Sequence, residues 1–520
     1  MLSLVGIEVS CLQLRFWHIA RSVMSNWLAM LASIAVGFLL TPFLVHQLGN
    51  VAYGVWIAAV ASVNYLALLE MGLASSVVRF VSKGRATQDH ESASDVLSAV
   101  LWVRLQIGGL VLLLSSILAY LFPLLFKVPA ALALDAREAI LIIGINTTLS
   151  LSFGVFSSVL SALSRYDLRS YVALIQLALR VGGVVIVVRA GHGIVAIAFC
   201  ELFAAAIGNA LLVVIARRTY PELRIRIRKP SREVLRQIWS YSFYAFLLTI
   251  AGQLVYQSDS MVVGAFISVS AVTFYSFGNS LCIYTRQFIN VMTTTFTPAA
   301  SSCDAAGDAA GMKSLYYNGT RATMALFLPV VITLITRGDN FIGVWIGPQY
   351  AKPSGMVLAI LAVGILFNLQ NAAGSTIAWG VDKHKMMAKW AIPEAIANLT
   401  LSIILARTWL GIYGVAIGTL LPGMVTSLIL WPRFLFQIVG ISFREAFRNV
   451  WAPISLCAIP FAIASYVVDI RVPAHNMIAF ILQTMALLPI FLVTVGIVFH
   501  DKIRRQILPK IRSLLYADVK

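Results

Sequence analysis

Ionisable side chains lie deep within apolar runs long enough to cross a bilayer, among them Arg104, Arg180, Arg286, Glu70, Glu201, Asp259 and Glu394. A charge at the centre of a membrane helix costs roughly 2.5–3.5 kcal/mol on insertion scales, so such residues face protein or a wet cavity. Helical spacing groups them with amides and hydroxyls. Gln176 and Arg180 are four apart; Asn279, Arg286 and Asn290 share a face, as do Glu394, Asn398 and Ser402. Gln253, Gln257 and Ser260 form another stripe, and Asn368, Asn371 and Ser375 a further one. Residues three, four and seven apart lie on one side of a helix.

Guanidinium binds phosphate and carboxylate in a planar fork, so Arg104, Arg180 and Arg286 are the candidate contacts for a polar, anionic cargo. Gln176, Asn279, Asn290, Asn368, Asn371 and Asn398 would complete a polar wall. Two readings stand side by side for each arginine: a wall of a wet cavity, or an ion pair that glues helices together. Glu70, Glu201, Asp259 and Glu394 are candidate proton or sodium sites, with Glu70 also placed to meet Arg79. Pro329 and Pro422 are candidate helix kinks. No metal-ligand spacing is present. The nearest phosphate-loop lookalike, Gly307 to Ser314, has the wrong spacing and no strand before it, so neither a nucleotide nor another cofactor is expected.

The elements that must hold these groups follow from composition. The chain is 60% hydrophobic and 12% charged, against about 45–50% and about 25% in soluble domains. About 20 apolar residues cross the hydrocarbon core as a helix. That ruler predicts spans at 23–45, 53–73, 96–121, 139–160, 171–188, 194–216 and 244–266. It continues with 272–296, 315–335, 356–379, 387–406, 413–430, 450–468 and 477–499. Continuous apolar runs exclude a strand barrel, whose segments are short and alternating.

Lysine and arginine number 39 against 21 acidic residues, a net charge of +18. Most of them fall in the termini and the even-numbered loops. Lys127, Arg137, Arg189, Arg337, Lys352, Arg407 and Arg471 fall in odd-numbered loops. This asymmetry predicts cytoplasmic termini, and it makes the basicity topogenic, with no nucleic-acid partner expected. The five cysteines are scattered and form no CxxC.

Internal duplication organises the spans. Gly191-His-Gly-Ile-Val-Ala-Ile-Ala198 opens the sixth span, and the similar Gly411-Ile-Tyr-Gly-Val-Ala-Ile-Gly418 opens the twelfth. Tyr53-Gly-Val-Trp56 and Val272-Thr-Phe-Tyr275, opening the second and eighth spans, match at nearly the same offset. The expected fold is therefore an all-α polytopic membrane protein of about 14 transmembrane helices. Two six-helix lobes would surround a central cavity, with two extra C-terminal helices outside the repeat. The expected divisions are an interfacial segment 1–22, an N-lobe 23–216, a basic cytoplasmic linker 217–238, a C-lobe 239–435, two further spans within 447–499 and a basic amphipathic tail 500–520. Both basic segments are placed to meet membrane lipids.

Thr41 to Trp56, continued through Leu69 to Arg79, resembles the opening of the bacterial polysaccharide transporters, the O-antigen and exopolysaccharide flippases. Asp259 with Val262-Val263-Gly264, Pro329, Trp345-Ile-Gly-Pro-Gln-Tyr350 and Glu394 through Gly418 extend the similarity. The resemblance implies the multidrug/oligosaccharidyl-lipid/polysaccharide exporter fold. It implies transport of an undecaprenyl-pyrophosphate-linked oligosaccharide to the outer leaflet of the bacterial inner membrane, by ion-coupled alternating access. It also implies that the polysaccharide polymerase and chain-length machinery are partners. The alternatives are a multidrug or lipid II exporter of the same fold and, from another class, a membrane glycosyltransferase or polymerase. The last would need a large carboxylate-bearing outward loop, and the two longest outward loops, near 122–138 and 336–355, are short.

Overall fold

A backbone inside hydrocarbon must satisfy its own hydrogen bonds, and this chain does so with helices: among the described residues there is no strand. The computed structural model describes residues 2–70, 72–225 and 232–498. The tail expected at 500–520 and residues 226–231 of the basic linker lie outside the described residues. The helices are α1 (Leu2–Leu66), α2 (Leu73–Ala86), α3 (His90–Leu125), α4 (Ala130–Phe153), α5 (Val155–Ala162), α6 (Tyr166–Arg189) and α7 (Ile194–Thr219). They continue as α8 (Arg232–Phe266), α9 (Val269–Thr294), α10 (Phe296–Ala305), α11 (Ala309–Trp345), α12 (Pro348–Leu369) and α13 (Ala372–Gly380). The last are α14 (His384–Ala406), α15 (Gly411–Val425), α16 (Trp431–Val439), α17 (Phe443–Ala446), α18 (Ala452–Arg471) and α19 (Met477–Val498).

Eleven stretches among the described residues are long and apolar enough to cross a membrane. The first, Met24–Glu70, holds the two spans expected at 23–45 and 53–73, joined through Gly49 in a left-handed conformation (φ 77°). The others correspond to the third to sixth and ninth to fourteenth expected spans. The seventh and eighth expected spans are the helices α8 and α9. The latter is unusually polar, carrying Asn279, Arg286, Gln287 and Asn290.

The chain forms two compact units, Met1–Gln253 with Gly264–Thr273, and Leu254–Val263 with Phe274–Lys520. The division by packing falls inside α8. The expected repeat reappears as repeated local structure. In the first unit the Asp89 carboxylate caps α3 by accepting from Ser92 N at 3.0 Å; in the second, Asp308 caps α11 by accepting from Gly311 N at 2.8 Å. Left-handed Gln88 (φ 58°) precedes the first cap and left-handed Gly307 (φ 64°) the second. Ser164 and Asp382, both at φ 56°, end the turns before α6 and α14. Partners in these pairs stand at the same offset along the chain, to within one position.

In both units the second and fourth spans are interrupted. After α1, a single tight turn at Ala67–Glu70 leads to left-handed Gly72 (φ 69°) and then α2. The helix α4 stops at Gly154 before α5. In the second unit α9 breaks at Thr295, where the Thr293, Thr294 and Thr295 hydroxyls all donate to carbonyls three or four residues back. Such back-bonding bends helices. The helix α12 ends ahead of Gln370 and Asn371. The short helices beyond these breaks pair off: Ser82 of α2 donates to Ala162 O at 3.0 Å, and Ser301 of α10 donates to Gly380 O at 2.7 Å.

One loop assignment is corrected. Arg337, expected in an outward loop, sits at a non-helical kink (φ −132°, ψ 15°) within the continuous stretch α11 and is fully buried. Its guanidinium lies 3.5 Å from Asp469, donates to Gln483 and to Thr484 Oγ1 (3.4 Å), and rests 4.6 Å from the centre of the Phe480 ring. A lone arginine at this depth would end a span; a partner carboxylate from α18 removes that cost. Thr336 and Ser465 share a hydrogen bond of 2.8 Å, and Arg321 donates to Asn449 O at 2.6 Å. Polar ties therefore join α11 to α18 and the segment leading into it. The loops expected near 122–138 and 336–355 are shorter in the structure, α4 starting at Ala130 and α12 at Pro348.

The α1 helix meets the start of α9 backbone to backbone. A Cβ on Gly54 would fall 1.9 Å from Val269 O, and Thr273 donates to Asn50 O at 2.7 Å. Gly54→Ala should therefore lower thermal stability by about 1–3 kcal/mol through overpacking. Gly109→Ala, where nothing lies within 4 Å, should leave it unchanged. Thermal unfolding of the purified protein distinguishes the two, and equal melting of both variants would contradict the close approach.

Candidate functional site

In the first unit α6 presents Gln176 and Arg180 to α7. The Arg180 Nε lies 2.7 Å from Glu201 Oε1, and the two side chains are 44% and 22% exposed. Two turns further along α7 the Gln176 amide lies against Gly208, where a Cβ would come within 1.9 Å of Nε2. A glycine at 208 is what lets the amide reach the partner helix. The result is a polar seam whose cation keeps much of its surface uncovered.

Arg104 is placed differently. It is 2% exposed, donates from Nη2 to Glu70, and donates from Nη1 to Leu151 O at 3.1 Å. Of the two readings open for an intramembrane arginine, this geometry has the character of a packing tie. Asp167, 1% exposed, gathers Arg21 at 2.5 Å and Arg165 at 3.0 Å, fastening α1 to α6.

In the second unit the facing helices are α14 and α15. By the offset of the turns before α6 and α14, Glu394 and Asn398 take the places of Gln176 and Arg180, while the offset of the matched segments opening α7 and α15 sets Leu421 and Leu428 opposite Glu201 and Gly208. The chemistry is changed. Asp259 of α8 is 1% exposed and accepts from the hydroxyls of Tyr275 and Thr419, the latter at 2.9 Å. The Arg286 charge on α9 acts on both Asp259 and Glu394. Asn398 is fully buried, and both its amide atoms lack a hydrogen-bond partner.

Next to this group α15 loses its regular form. Pro422 removes one backbone donor, and a wider turn follows at Thr426–Leu430. There Trp431 N donates to Thr426 O and Pro432 has no N–H, so the Ser427 carbonyl is free to accept from Asn371 Nδ2 at 2.8 Å, and Ser427 Oγ donates to Asn368 Oδ1 at 2.9 Å. Two amides at the α12 break thus tie that break to the wide turn. Asn279 is buried on α9, while Asn290, a few turns on, is exposed.

The structure thus joins Arg180 with Glu201, Arg104 with Glu70, Asn368 with Asn371 through Ser427, and Asp259 and Glu394 through the field of Arg286. Sequence reasoning missed Tyr275, Thr419, Ser427 and Gly208. A signal for Thr419 existed in its place one residue beyond the matched segment ending at Gly418. Tyr275 lay inside a matched segment but carried no charge to draw notice.

Tyr275→Phe and Thr419→Val each remove one donor from a buried carboxylate. Each should cost about 1–3 kcal/mol of stability, measurable as a lowered unfolding temperature. A protein unmoved by both changes would mean that Asp259 does not depend on these hydroxyls.

Comparison with known proteins adds to this geometry. The chain is 23% identical over 441 residues to the "Uncharacterized membrane protein EpsK" of Bacillus subtilis, covering 83% of this chain and 86% of that protein. It is 23% identical over 438 residues to the "Probable low-salt glycan biosynthesis flippase Agl15" of Haloferax volcanii, covering 84% and 87%. Among solved structures it superposes on the lipid II flippase MurJ in an inward closed conformation, with TM-score 0.74 and 16% identity, covering 93% of this chain and 99% of that one. It also superposes on an inward-facing multidrug resistance MATE family transporter of the MOP superfamily, with TM-score 0.65 and 16% identity, covering 79% and 95%. The polysaccharide biosynthesis protein family model matches residues 19–303, more than half of the chain. This multi-pass membrane protein, with a fold shared by flippases and transporters, belongs to the polysaccharide biosynthesis protein family.

Proposed function

We propose that this chain flips an undecaprenyl-pyrophosphate-linked oligosaccharide from the cytoplasmic to the outer leaflet of the bacterial inner membrane by ion-coupled alternating access, with both termini cytoplasmic. The observation that carries the reading is the seam on α6 and α7. A guanidinium with 44% of its surface uncovered, beside a carboxylate and an amide, at the level of apolar spans, is built for an anionic, hydrogen-bonding head group. Membership of a polysaccharide biosynthesis family and a relative named as a glycan biosynthesis flippase support a glycan-bearing lipid as cargo. Arg180 in the first unit and the partly exposed Arg286 in the second are each assigned as contacts for an anionic head group, and Gln176, Asn279 and Asn290 as contacts for sugar hydroxyls. Asn368, Asn371 and Asn398 are assigned to the polar wall of the second unit.

The coupling ion is assigned to Asp259 with the Thr419 and Tyr275 hydroxyls, and to Glu394. Oxygen ligands of this kind suit a proton or a sodium ion. The reading places the polymerase and chain-length machinery downstream as partners that receive the flipped lipid. A second reading, lipid II or drug export, is favoured only by the shared fold.

Deleting the gene should leave the lipid-linked glycan at the inner leaflet; normal surface glycan with altered drug tolerance would favour the second reading. With the protein retained in the membrane, Arg180→Ala and Arg286→Ala should each slow flipping about tenfold or more, as expected for loss of a charged hydrogen bond of roughly 1.5–3 kcal/mol. The Lys variants should be milder. Asp259→Asn should abolish the response of transport to an imposed ion gradient. Full export by both Ala variants would defeat the assignment of the head-group site.

A further inference from the structure

We propose that Arg104 is a positioning residue that sets two helix joints of the first unit at once. Its target is not the cargo but the angle at which the second and fourth spans continue into α2 and α5.

The spans on either side of Arg104 are both interrupted near it. The second span ends in the tight turn Ala67–Glu70, and Glu70 is the last residue of that turn. The fourth stops at Gly154, just past Leu151. Arg104 reaches both: Nη2 donates to the Glu70 carboxylate and Nη1 to Leu151 O. It does so from α3, which runs unbroken from His90 to Leu125. A straight helix therefore holds one residue of each joint through the two prongs of a single planar group.

The joints themselves are built to bend. Gly72 takes a left-handed conformation (φ 69°) that side chains resist. A Cβ on Gly154 would fall 2.4 Å from Ser150 O and 3.6 Å from Arg104 Nη1, so the fourth-span joint needs glycine at the point the guanidinium touches. Beyond the joints, α2 and α5 share a core in which Leu73, Val77 and Val81 meet Val155, Phe156 and Val159. Ser82 closes that core by donating to Ala162 O. The two continuations thus pack against one another, and Arg104 fixes where each begins.

The second unit repeats the interruptions and the pairing of α10 with α13. Its counterpart of Arg104, set by the same offset as the paired helix caps, is Thr323, whose hydroxyl donates within its own helix to Gly319 O. The arginine tie belongs to the first unit alone among these equivalent positions.

The two prongs can be separated experimentally. A lysine ammonium carries its charge at one point and cannot span both acceptors. Arg104→Lys should keep the Glu70 contact and lose Leu151 O; Glu70→Gln should weaken the second-span joint and leave the Leu151 contact in place. Spin labels at Val51→Cys with Arg85→Cys straddle the second-span joint, and labels at Ala131→Cys with Ser164→Cys straddle the fourth. All four sites are exposed, and the native cysteines at 11, 200, 282, 303 and 457 would be replaced by alanine. Pulsed electron–electron distance measurements on the full chain in lipid nanodiscs, without cargo, give the readout.

Arg104→Lys is expected to shift or split the 131–164 distance and leave 51–85 unchanged. Glu70→Gln is expected to do the reverse, and Arg104→Met to move both. A crossed result, or native distances in all three variants, overturns the proposal. Because no cargo is present, that failure is distinct from a failure of the flippase reading.

Discussion

Hydrocarbon offers no partner to a charge or a backbone amide, and the whole structure answers that one constraint. Each described guanidinium buried within a span is met by a carboxylate or a carbonyl from another helix: Arg104 by Glu70 and Leu151, Arg337 by Asp469 and Gln483. These pairs do more than neutralise charge. Each forces two or three helices to meet at one level, so helix register in this protein is set largely by where charges must find partners. Breaking one member strands the other in a medium that cannot solvate it, which makes the ties far less tolerant of change than the apolar packing around them.

The pattern of apolar runs made the helices legible, because length alone separates a span from a loop in a chain so poor in charge. The repeat was legible in two short segments, and the structure extends it to caps, left-handed turns and side-chain bonds that recur at one offset along the chain. What stayed hidden was pairing across distant sequence. Arg337 and Asp469 are far apart in the chain, so a reader of the sequence sees an arginine that must end a span, not a cation whose partner lies on α18. Glu70 with Arg104, and Arg180 with Glu201, were each flagged singly for the same reason. Spacing rules describe one helix at a time, and these contacts are between helices.

Duplication followed by divergence explains the chemistry of the two seams. The positions of Gln176 and Arg180 in the first unit hold Glu394 and Asn398 in the second, and those of Glu201 and Gly208 hold Leu421 and Leu428. The first set carries its own cation and anion and can remain half-open to a polar environment. The second replaces the internal pair with an amide and an apolar side chain, and the hydroxyl of Thr419, half a turn before Leu421, turns to a carboxylate supplied by α8. One scaffold thus yields a site rich in exposed charge and a site built of buried oxygens.

That difference has a structural consequence in the second unit. An amide such as Asn398, buried with neither atom satisfied, is costly, as is a proline that leaves a carbonyl without its donor. The same helix, α15, widens further on at Thr426–Leu430, where Ser427 is held by Asn371 and Asn368. The first unit closes its seam with the Arg180–Glu201 pair on a regular α7, whereas the second places a buried amide and an irregular α15 in the corresponding helices.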